Sequence, residues 1–342
     1  DLVGMTMLPT PTLCWPQLST ALGAEVWVKH ENHTPIGAFK VRGGIVYIDE
    51  LVKHKPPQGG LITATRGNHG QSIPFAARGY DIPVHVLVPA GNSAEKNAAM
   101  AGWGAHVETF GQDFDEARVE AERRAASGEY EYVTSFGEHL VRGVATYAVE
   151  MFGVARDLDT VYVPIGMGSG ICGVILVRDL LGLKTEVVGV VSSNADAVAQ
   201  SFEAGRIIET ETANTFADGM ACRVPSADAM EIINKGAARI VRVTDKEVAD
   251  AVRLVYAATH NVAEGAGAAA FAAAAKDVGT ALHFPAQRVE SSIGAALMCR
   301  PTSPHPHTRP HLLSVQYYDC LLYTSDAADE MSEVVWGGVG GG

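Results

Sequence analysis

The chain has 342 residues, of which 47% are hydrophobic and 19% charged, and its formal net charge at pH 7 is −13. This is the composition of a globular protein long enough for two domains, and the negative charge argues against nucleic acid as a partner. No apolar run reaches the roughly 18 residues of a membrane span, and five scattered cysteines without CxxC spacing predict reduced thiols in a cytoplasmic protein, with neither a disulfide framework nor a zinc site.

Short apolar runs alternate with segments of helical periodicity along most of the chain. After an extended entry at 10–12, strands are predicted at 24–30, 61–64, 84–88, 105–110, 130–134, 160–163, 187–191 and 238–243. Helices are predicted at 45–54, 73–78, 93–101, 114–127, 140–153, 195–204 and 244–260, with Ser93 and Thr244 as N-caps. This alternation predicts an α/β fold with parallel sheets covered by helices on both faces.

Lys40 follows the first predicted strand and lies between Phe39 and the segment 41–44. Apolar neighbours remove water from an ammonium group, which lowers its pKa and makes a neutral amine available for Schiff-base chemistry. Most lysines with apolar neighbours instead extend the ammonium into solvent. The interpretation of Lys40 as a catalytic residue therefore depends on two loops that follow it in the sequence.

Both loops connect a predicted strand to a predicted helix and present backbone N–H groups. The first, residues 67–70 (Gly-Asn-His-Gly), suits a carboxylate, and the Asn68 amide can hydrogen-bond an oxygen substituent. His69 is interpreted either as a general base or as an uncharged structural residue, and the whole loop could be an ordinary helix entry. The second, residues 166–170 (Gly-Met-Gly-Ser-Gly), suits a single phosphate group or is only a tight turn.

An amine, a phosphate cradle, an amide for a ring hydroxyl and a turn for a carboxylate are what pyridoxal phosphate and an amino acid need. The segments around Lys40, 67–71 and 166–170 resemble the fold-type-II pyridoxal-phosphate-dependent enzymes in order and spacing. The segments 217–219 and 264–268 extend the resemblance to the threonine/serine dehydratase (ammonia-lyase) family, and it covers about residues 8–289. It implies a two-domain α/β fold similar to that of the tryptophan synthase beta subunit, with parallel-rich twisted sheets.

Two domains are expected, with the cofactor in the cleft between them. The large, discontinuous domain that binds pyridoxal phosphate comprises 1–59 and 138–289, and the small domain, 60–137, carries the substrate-carboxylate loop. Residues 290–342 are expected to be a non-native or disordered tail, because prolines accumulate there and 320–330 looks like read-through of a sequencing adapter. The segment with which the family binds the pyridine nitrogen, similar to Ser-Gly-Gly-Asn, is absent from the sequence after Arg288.

The resemblance also assigns roles to individual residues. It implies that Lys40 forms the Schiff base beside Phe39, that Asn68 contacts the ring hydroxyl oxygen, and that Thr65, Asn68 and His69 bind the substrate carboxylate. The cofactor phosphate is expected on the glycine-rich loop, which consists of Gly166, Met167, Gly168, Ser169 and Gly170. Glu264 is expected either near the cofactor ring or as a carboxylate that only stabilises a helix N-terminus, and Asp218 is expected to be mainly structural.

The implied reaction converts L-threonine or L-serine into a 2-oxo acid and ammonia, and Lys40 takes the Cα proton. Arg66 departs from the family, whose racemases have at this position a serine that acts as a second base. Because an arginine cannot remove a proton at neutral pH, a serine racemase-like activity is disfavoured. Arg66 could instead bind an anionic group of the substrate, which keeps a 3-hydroxyaspartate dehydratase open.

Alternatives of other classes are a catalytically silent protein that binds pyridoxal phosphate and a plain nucleotide-binding module. The second is disfavoured because neither of the common nucleotide-loop motifs is present. The resemblance implies a homo-oligomer, and no ligand spacing in the sequence predicts a metal site.

Overall fold

The computed structural model describes residues 2–54, 57, 59–280, 298–301 and 311–313. Its α-helices are α1 Leu2–Thr6, α2 Pro16–Leu22, α3 Lys40–His54, α4 Asn68–Ala77, α5 Ala94–Gly102, α6 Phe114–Ala125, α7 Glu138–Val154, α8 Ser169–Leu180, α9 Ala197–Ala204, α10 Ala227–Gly236, α11 Asp245–Thr259 and α12 Gly265–Asp277. Its strands are β1 Thr12–Cys14, β2 Ala24–Lys29, β3 Gly60–Ala64, β4 Val84–Val88, β5 Ala105–Thr109, β6 Tyr130–Tyr132, β7 Thr160–Pro164, β8 Glu186–Ser192, β9 Arg239–Val243, β10 Met298–Pro301 and β11 His311–Leu313. Short 3₁₀ helices lie at Glu31–His33, Arg78–Tyr80 and Asp218–Met220.

The smaller sheet has four parallel strands in the order β5-β4-β3-β6. Strand β3 is buried along its whole length, and its Leu61 pairs with Val84 of β4. Apolar side chains of α3, α4 and α5 pack on one face of the sheet, and those of α6 pack on the other. Because the strands are parallel, their carboxyl ends share one edge, and the loop that begins at Thr65 leaves β3 from that edge.

Within the described ranges the larger sheet has seven strands, in the order β1-β2-β10-β11-β7-β8-β9. Strands β7, β8 and β9 are parallel, whereas β1 is antiparallel to β2. Helices α2, α11 and α12 cover one face, and α7, α8 and α10 cover the other. The two faces explain why β7 and β8 read as continuous apolar runs, and the predicted α/β fold with helix-covered parallel sheets is confirmed.

Residues 290–342 lie outside the described part of the chain except for two short strands. Backbone pairing places β10 antiparallel to β2, and β11 parallel to both β2 and β7. The predictions of a non-native or disordered tail and of a missing partner for the pyridine nitrogen therefore fall mostly on residues outside the described ranges. The predicted domain bounds also stay predictions, although strands between residues 60 and 132 form the smaller sheet by themselves.

Two helices begin earlier than their sequence pattern predicts, in each case at a turn that contains glycine. Helix α3 begins at Lys40 and not at 45, and α4 begins at Asn68 and not at 73. A Cβ atom on Gly44 would lie 2.2 Å from the hydroxyl oxygen of Ser72, so the glycine allows α3 and α4 to approach closely. The predicted starts are wrong because Gly44 lies inside α3 and Gly70 lies inside α4, and neither glycine interrupts its helix.

The sequence pattern also missed α1, α2 and α10. Helix α2 has Pro16 in its first turn and ends at Gly23 in the left-handed conformation, with φ of 64°. The predicted N-caps are confirmed. The Ser93 side chain accepts a hydrogen bond from the N–H of Lys96, and Thr244 forms a capping box with Glu247.

Cys172 and Cys222 are free thiols and are buried. Burial raises the pKa of both thiols to about 12. Among the residues that the structure places, no group of three or more His, Cys, Asp or Glu side chains is positioned to hold a metal ion. None of the helices in the described ranges combines the length and the apolar character that crossing a membrane requires.

Candidate active site

A pocket lies at the loops that follow β3 and β7, between the two sheets. The segments that line it are far apart in the sequence: the start of α3, the loop after β3, the loop after β7 and the residue before α12. The lining residues are Lys40, Thr65, Arg66, Gly67, Asn68, His69, Lys96, Phe114, Ser135, Gly166, Met167, Asp218, Gly219, Ala221, Cys222 and Glu264. The structure therefore brings together the motifs that the sequence analysis singled out.

Lys40 is the first residue of α3, and its side chain extends to the start of α8. Its Nζ donates a hydrogen bond to Ser169 Oγ at 3.4 Å and lies 5.6 Å from the centre of the Phe39 ring. The Phe39 ring is buried and meets Tyr147 edge to face. Although Lys40 keeps some exposure toward the pocket, burial lowers the pKa of its ammonium group to about 8. A usable fraction of neutral amine is therefore present near neutral pH.

A buried ion network lies beside the first turn of α3. The Arg42 guanidinium donates to Glu31 from Nε at 2.7 Å and to Glu150 from Nη1 at 2.6 Å, and Lys29 also pairs with Glu150. Arg42, Lys29 and Glu31 are almost completely buried. Two acidic and two basic side chains thus balance each other in charge. Buried charges need such pairing, because an unpaired buried charge is strongly destabilising. The network joins β2 and α7 to the helical turn that carries Lys40.

The loop after β3, residues 65–69, lines the pocket. The N–H of Gly67 donates to Thr65 Oγ1 at 2.9 Å, and α4 begins at the next residue, Asn68. The Asn68 Oδ1 and His69 Nε2 atoms are buried and have no hydrogen-bond partner among the described residues. Backbone N–H groups at a helix start together with unpartnered side-chain atoms suit an anionic ligand that carries further polar groups.

His69 is neutral in this environment. Burial and, to a smaller extent, the nearby charge of Lys40 lower the pKa of its imidazole to about 3. A backbone hydrogen bond to Val133 opposes the shift. An imidazole with such a pKa can donate or accept a hydrogen bond but is too weak a base to hold a proton near pH 7. Of the two interpretations of His69, its burial favours the uncharged one.

The loop after β7 leads directly into α8, whose first residue is Ser169. A Cβ atom on Gly166 would lie 2.2 Å from the carbonyl oxygen of Gly219, so only glycine fits there. Gly168 has φ of 98°, in the left-handed region that favours glycine. Gly166 and Met167 line the pocket, whereas Gly168 and Gly170 are buried at the start of α8.

Ser169 is buried and its hydroxyl accepts the hydrogen bond from Lys40. The predicted phosphate loop therefore lies directly next to the predicted Schiff-base lysine. The positive end of α8 faces this loop, which suits a phosphate group.

Glu264 immediately precedes α12 and makes no side-chain capping hydrogen bond to that helix. Both of its carboxylate oxygens are buried and have no hydrogen-bond partner among the described residues. Burial raises the pKa of Glu264 to about 7, although the charge of Lys96 lowers it. Of the two expectations for Glu264, a place facing the pocket is supported more strongly than a capping role, because its carboxylate lines the pocket.

Lys96 is a pocket residue that the sequence analysis did not identify. It extends from α5 and donates a hydrogen bond to Asp218 Oδ2 at 2.7 Å. One lysine in a mixed helix carries no sequence signal of such a contact, since its partner is more than a hundred residues away. Asp218, expected to be mainly structural, lines the pocket as well.

Arg66 also lines the pocket and is half-buried. Its Nε is buried and has no hydrogen-bond partner among the described residues. An arginine in this state suits an anionic ligand, because a buried polar atom without a partner is unfavourable and a guanidinium binds carboxylates well.

No ligand is part of the structure, so the fit of pyridoxal phosphate is judged from the residues. Lys40 provides an amine with a lowered pKa, the 166–170 loop provides an anion site, and Asn68 and His69 provide unpartnered polar atoms toward the same pocket. These groups correspond to the aldehyde, the phosphate and the polar substituents of the cofactor and its substrate. The residues fit the group.

A lysine, an anion loop and a carboxylate-binding turn around one pocket between two parallel-rich sheets define an α/β enzyme that works through a Schiff-base cofactor. The model of the family described as pyridoxal-phosphate dependent enzymes matches residues 3–289, and the chain belongs to this family. The predicted family, fold class and cofactor are thereby confirmed.

Individual relatives and solved structures show which members of the family the chain is similar to. The chain is 32% identical over 257 residues to the L-threonine ammonia-lyase of Thermotoga maritima, covering 75% of this chain and 64% of that protein. It is 28% identical over 266 residues to the L-threo-3-hydroxyaspartate ammonia-lyase of Saccharomyces cerevisiae, covering 78% of this chain and 81% of that protein. The structure of maize serine racemase has a TM-score of 0.80 at 21% identity, over 98% of this chain and 94% of that one, and this likeness concerns the fold. The chain spans less than two thirds of the length of the Thermotoga protein.

Proposed function

We propose that this chain is a pyridoxal-phosphate-dependent ammonia-lyase that converts L-threonine, L-serine or both into a 2-oxo acid and ammonia. The observation that carries the proposal is the position of Lys40 Nζ, 3.4 Å from Ser169 Oγ and in one pocket with the 65–69 loop. The name of the Thermotoga relative supports this class of reaction. The 166–170 loop would hold the cofactor phosphate, and Asn68 would contact the cofactor ring.

Pyridoxal phosphate, when bound, withdraws electrons from the Cα atom of the amino acid that it holds and makes the Cα proton acidic. Lys40 would anchor the cofactor through Nζ. When its amine is free, Lys40 is the residue placed to accept the proton at Nζ. A pKa of about 8 lets the amine take up and release a proton near neutral pH. The Ser169 hydroxyl would keep the amine at this position.

The 65–69 loop would bind the substrate carboxylate. Thr65 holds the N–H of Gly67, and the start of α4 supplies further N–H groups and the positive end of a helix. The neutral ring of His69 has a single N–H, which pairs with the Val133 backbone, so its unpartnered Nε2 can only accept a hydrogen bond. His69 would therefore contribute its backbone N–H at the start of α4 to the carboxylate and leave proton transfer to Lys40.

The purified chain supplied with pyridoxal phosphate is expected to release 2-oxobutyrate and ammonia in equal amounts from L-threonine, and pyruvate and ammonia from L-serine. Both products are measured against time, with D-threonine as the control substrate. A chain that binds the cofactor but releases no 2-oxo acid from any hydroxy-amino acid would contradict the proposal and favour the catalytically silent alternative.

A second candidate substrate is 3-hydroxyaspartate, because Arg66 presents a guanidinium with a buried, unpartnered Nε in the same pocket and the yeast relative is named for that substrate. The side-chain carboxylate of such a substrate would receive hydrogen bonds from Arg66. Arg66 replaces the serine that serves racemases as a base, so we do not propose racemisation.

Arg66→Ala is expected to lower kcat/KM for L-threo-3-hydroxyaspartate by about 10- to 100-fold, the value of a hydrogen bond to a charged group. The same change is expected to leave kcat/KM for L-threonine within about threefold, since L-threonine has no second acid group for the guanidinium to bind. Arg66→Lys is the matched control, which keeps the charge and should keep part of the preference. An equal loss with both substrates would show that Arg66 does not select the substrate.

Two further statements belong to the proposal and depend on the family resemblance. We expect a homo-oligomer in solution and a cytoplasmic location. We also keep the two-domain division at 60–137, since each of the two predicted domains then contributes one loop to the pocket.

A further inference from the structure

Lys96 connects the two sheets across the pocket. It belongs to α5, which packs on the smaller sheet, and its Nζ lies 2.7 Å from Asp218 Oδ2 and 3.7 Å from Glu264 Oε1. Asp218 lies in the 3₁₀ helix Asp218–Met220 and Glu264 precedes α12, and both of these segments pack on the larger sheet. The side chains of Lys96 and Glu264 are each only 9% exposed. The Coulomb attraction between charges shielded from water to this degree is stronger than at the surface and is screened less by salt.

The charge of Glu264 depends on this lysine. Burial raises the pKa of Glu264 to about 7 and Asp218 raises it as well, while Lys96 and the Asn68 amide lower it. At 3.7 Å the ammonium forms an ion pair with Oε1 but not a hydrogen bond. Further ionisable groups that face the pocket are Lys40, Arg66, His69 and Cys222. Of these, His69 is neutral, because its pKa is lowered to about 3.

The segment that contains Asp218 contacts the rest of the site on two sides. A Cβ atom on Gly166 of the phosphate loop would lie 2.2 Å from the Gly219 carbonyl oxygen, and a Cβ atom on Gly219 would lie 3.5 Å from Glu264 Oε1. The segment is therefore packed between the phosphate loop and Glu264. By binding Asp218, Lys96 also holds this segment against both.

We propose that Lys96 is a positioning residue of the active site that favours the ionised form of Glu264 beside Asn68, where the ring of pyridoxal phosphate is expected. The proposal rests on the proposed function for the place of that ring. A carboxylate charge at this position favours positively charged forms of the bound ring and its amine. Lys96 thus acts on the cofactor through Glu264 and not by direct contact.

The test uses the chain loaded with pyridoxal phosphate, and it begins without any amino acid. The pH midpoint at which the visible absorption band of the bound cofactor changes is measured first. In the wild type we expect a midpoint near 7, from the pKa of Glu264. Lys96→Met removes the charge that lowers this pKa, so the midpoint is expected to move up by about one pH unit. The acidic limb of the kcat/KM profile for L-threonine should move in the same direction.

Further variants separate the charge of Lys96 from its structural contact. Lys96→Gln keeps a donor for Asp218 without the charge and should shift the midpoint as Lys96→Met does, whereas Lys96→Arg should not shift it. In a Glu264→Gln background the Lys96→Met change should produce no shift at all, because the titrating carboxyl group is gone.

Arg223→Met is the matched structural control. Arg223 pairs with Asp113 at 2.7 Å and also joins the two sheets, but it is not one of the residues that line the pocket. It is expected to leave the midpoint unchanged. An unshifted midpoint in both Lys96→Met and Lys96→Gln would overturn the proposal, as would an equal shift in Arg223→Met. A wild-type chain with no cofactor band would instead overturn the proposed function and, with it, this inference.

Discussion

Lys40→Ala is expected to lower kcat for L-threonine by at least about 10⁴-fold, since it removes both the covalent anchor of the cofactor and the proton acceptor. Among the described residues that line the pocket, no other one is placed to replace it. His69 has too low a pKa to act as the base, and Lys96 is bound to Asp218. The measurement is the rate of 2-oxobutyrate release at saturating L-threonine and saturating pyridoxal phosphate.

The matched control is Lys53→Ala in the same helix. Lys53 is 59% exposed and pairs with Asp49 one turn away, so its loss should change kcat by less than about twofold. Turnover by Lys40→Ala within about tenfold of the wild type would contradict the assignment, since general base catalysis alone contributes more than that.

Arg42→Met is expected to lower the free energy of unfolding by about 3–5 kcal/mol, the usual cost of removing one partner from a buried ion pair. Arg42 is fully buried, and its guanidinium gives hydrogen bonds to both Glu31 and Glu150. After the change, Glu31 would keep the Thr10 hydroxyl and the Lys29 ammonium at 4.0 Å, but would lose its strongest partner. Urea unfolding followed by circular dichroism measures the effect.

Arg253→Met is the control for this prediction. Arg253 is 58% exposed and pairs with Asp250 at 3.0 Å on the same helix, so its loss should cost less than about 1 kcal/mol. The double change Arg42→Met with Glu31→Leu should cost less than Arg42→Met alone, since it leaves fewer buried charges unpaired. A cost below about 1 kcal/mol for Arg42→Met would show that the network contributes little.

The sequence revealed those parts of the site that lie in continuous segments. Lys40, the 67–70 loop and the 166–170 loop each follow a predicted strand, and glycine and small polar residues mark the turns in which backbone N–H groups become accessible. Strand positions were predicted well because buried parallel strands are short apolar runs. The structure brings these three segments into one pocket, which agrees with their predicted roles.

The parts that the sequence did not reveal depend on contacts between distant residues. Lys96 meets Asp218 and Glu264 only after two sheets are assembled, and neither spacing nor residue type indicates the contact. The ion network of Arg42 was missed for the same reason, since Glu150 comes from α7. Periodicity also cannot tell whether a glycine interrupts a helix or lets another helix approach, as Gly44 does.

The central claim is that Lys40 holds pyridoxal phosphate, and the most direct measurement is borohydride reduction of the loaded chain followed by peptide mapping. Borohydride adds hydride to the C=N bond of a lysine Schiff base, and this reduction leaves the cofactor attached through a stable secondary amine. We predict that the added mass lies on the peptide with Lys40 and that the visible band disappears. Attachment at another lysine, such as Lys96 in the same pocket, or an unmodified chain would contradict the claim.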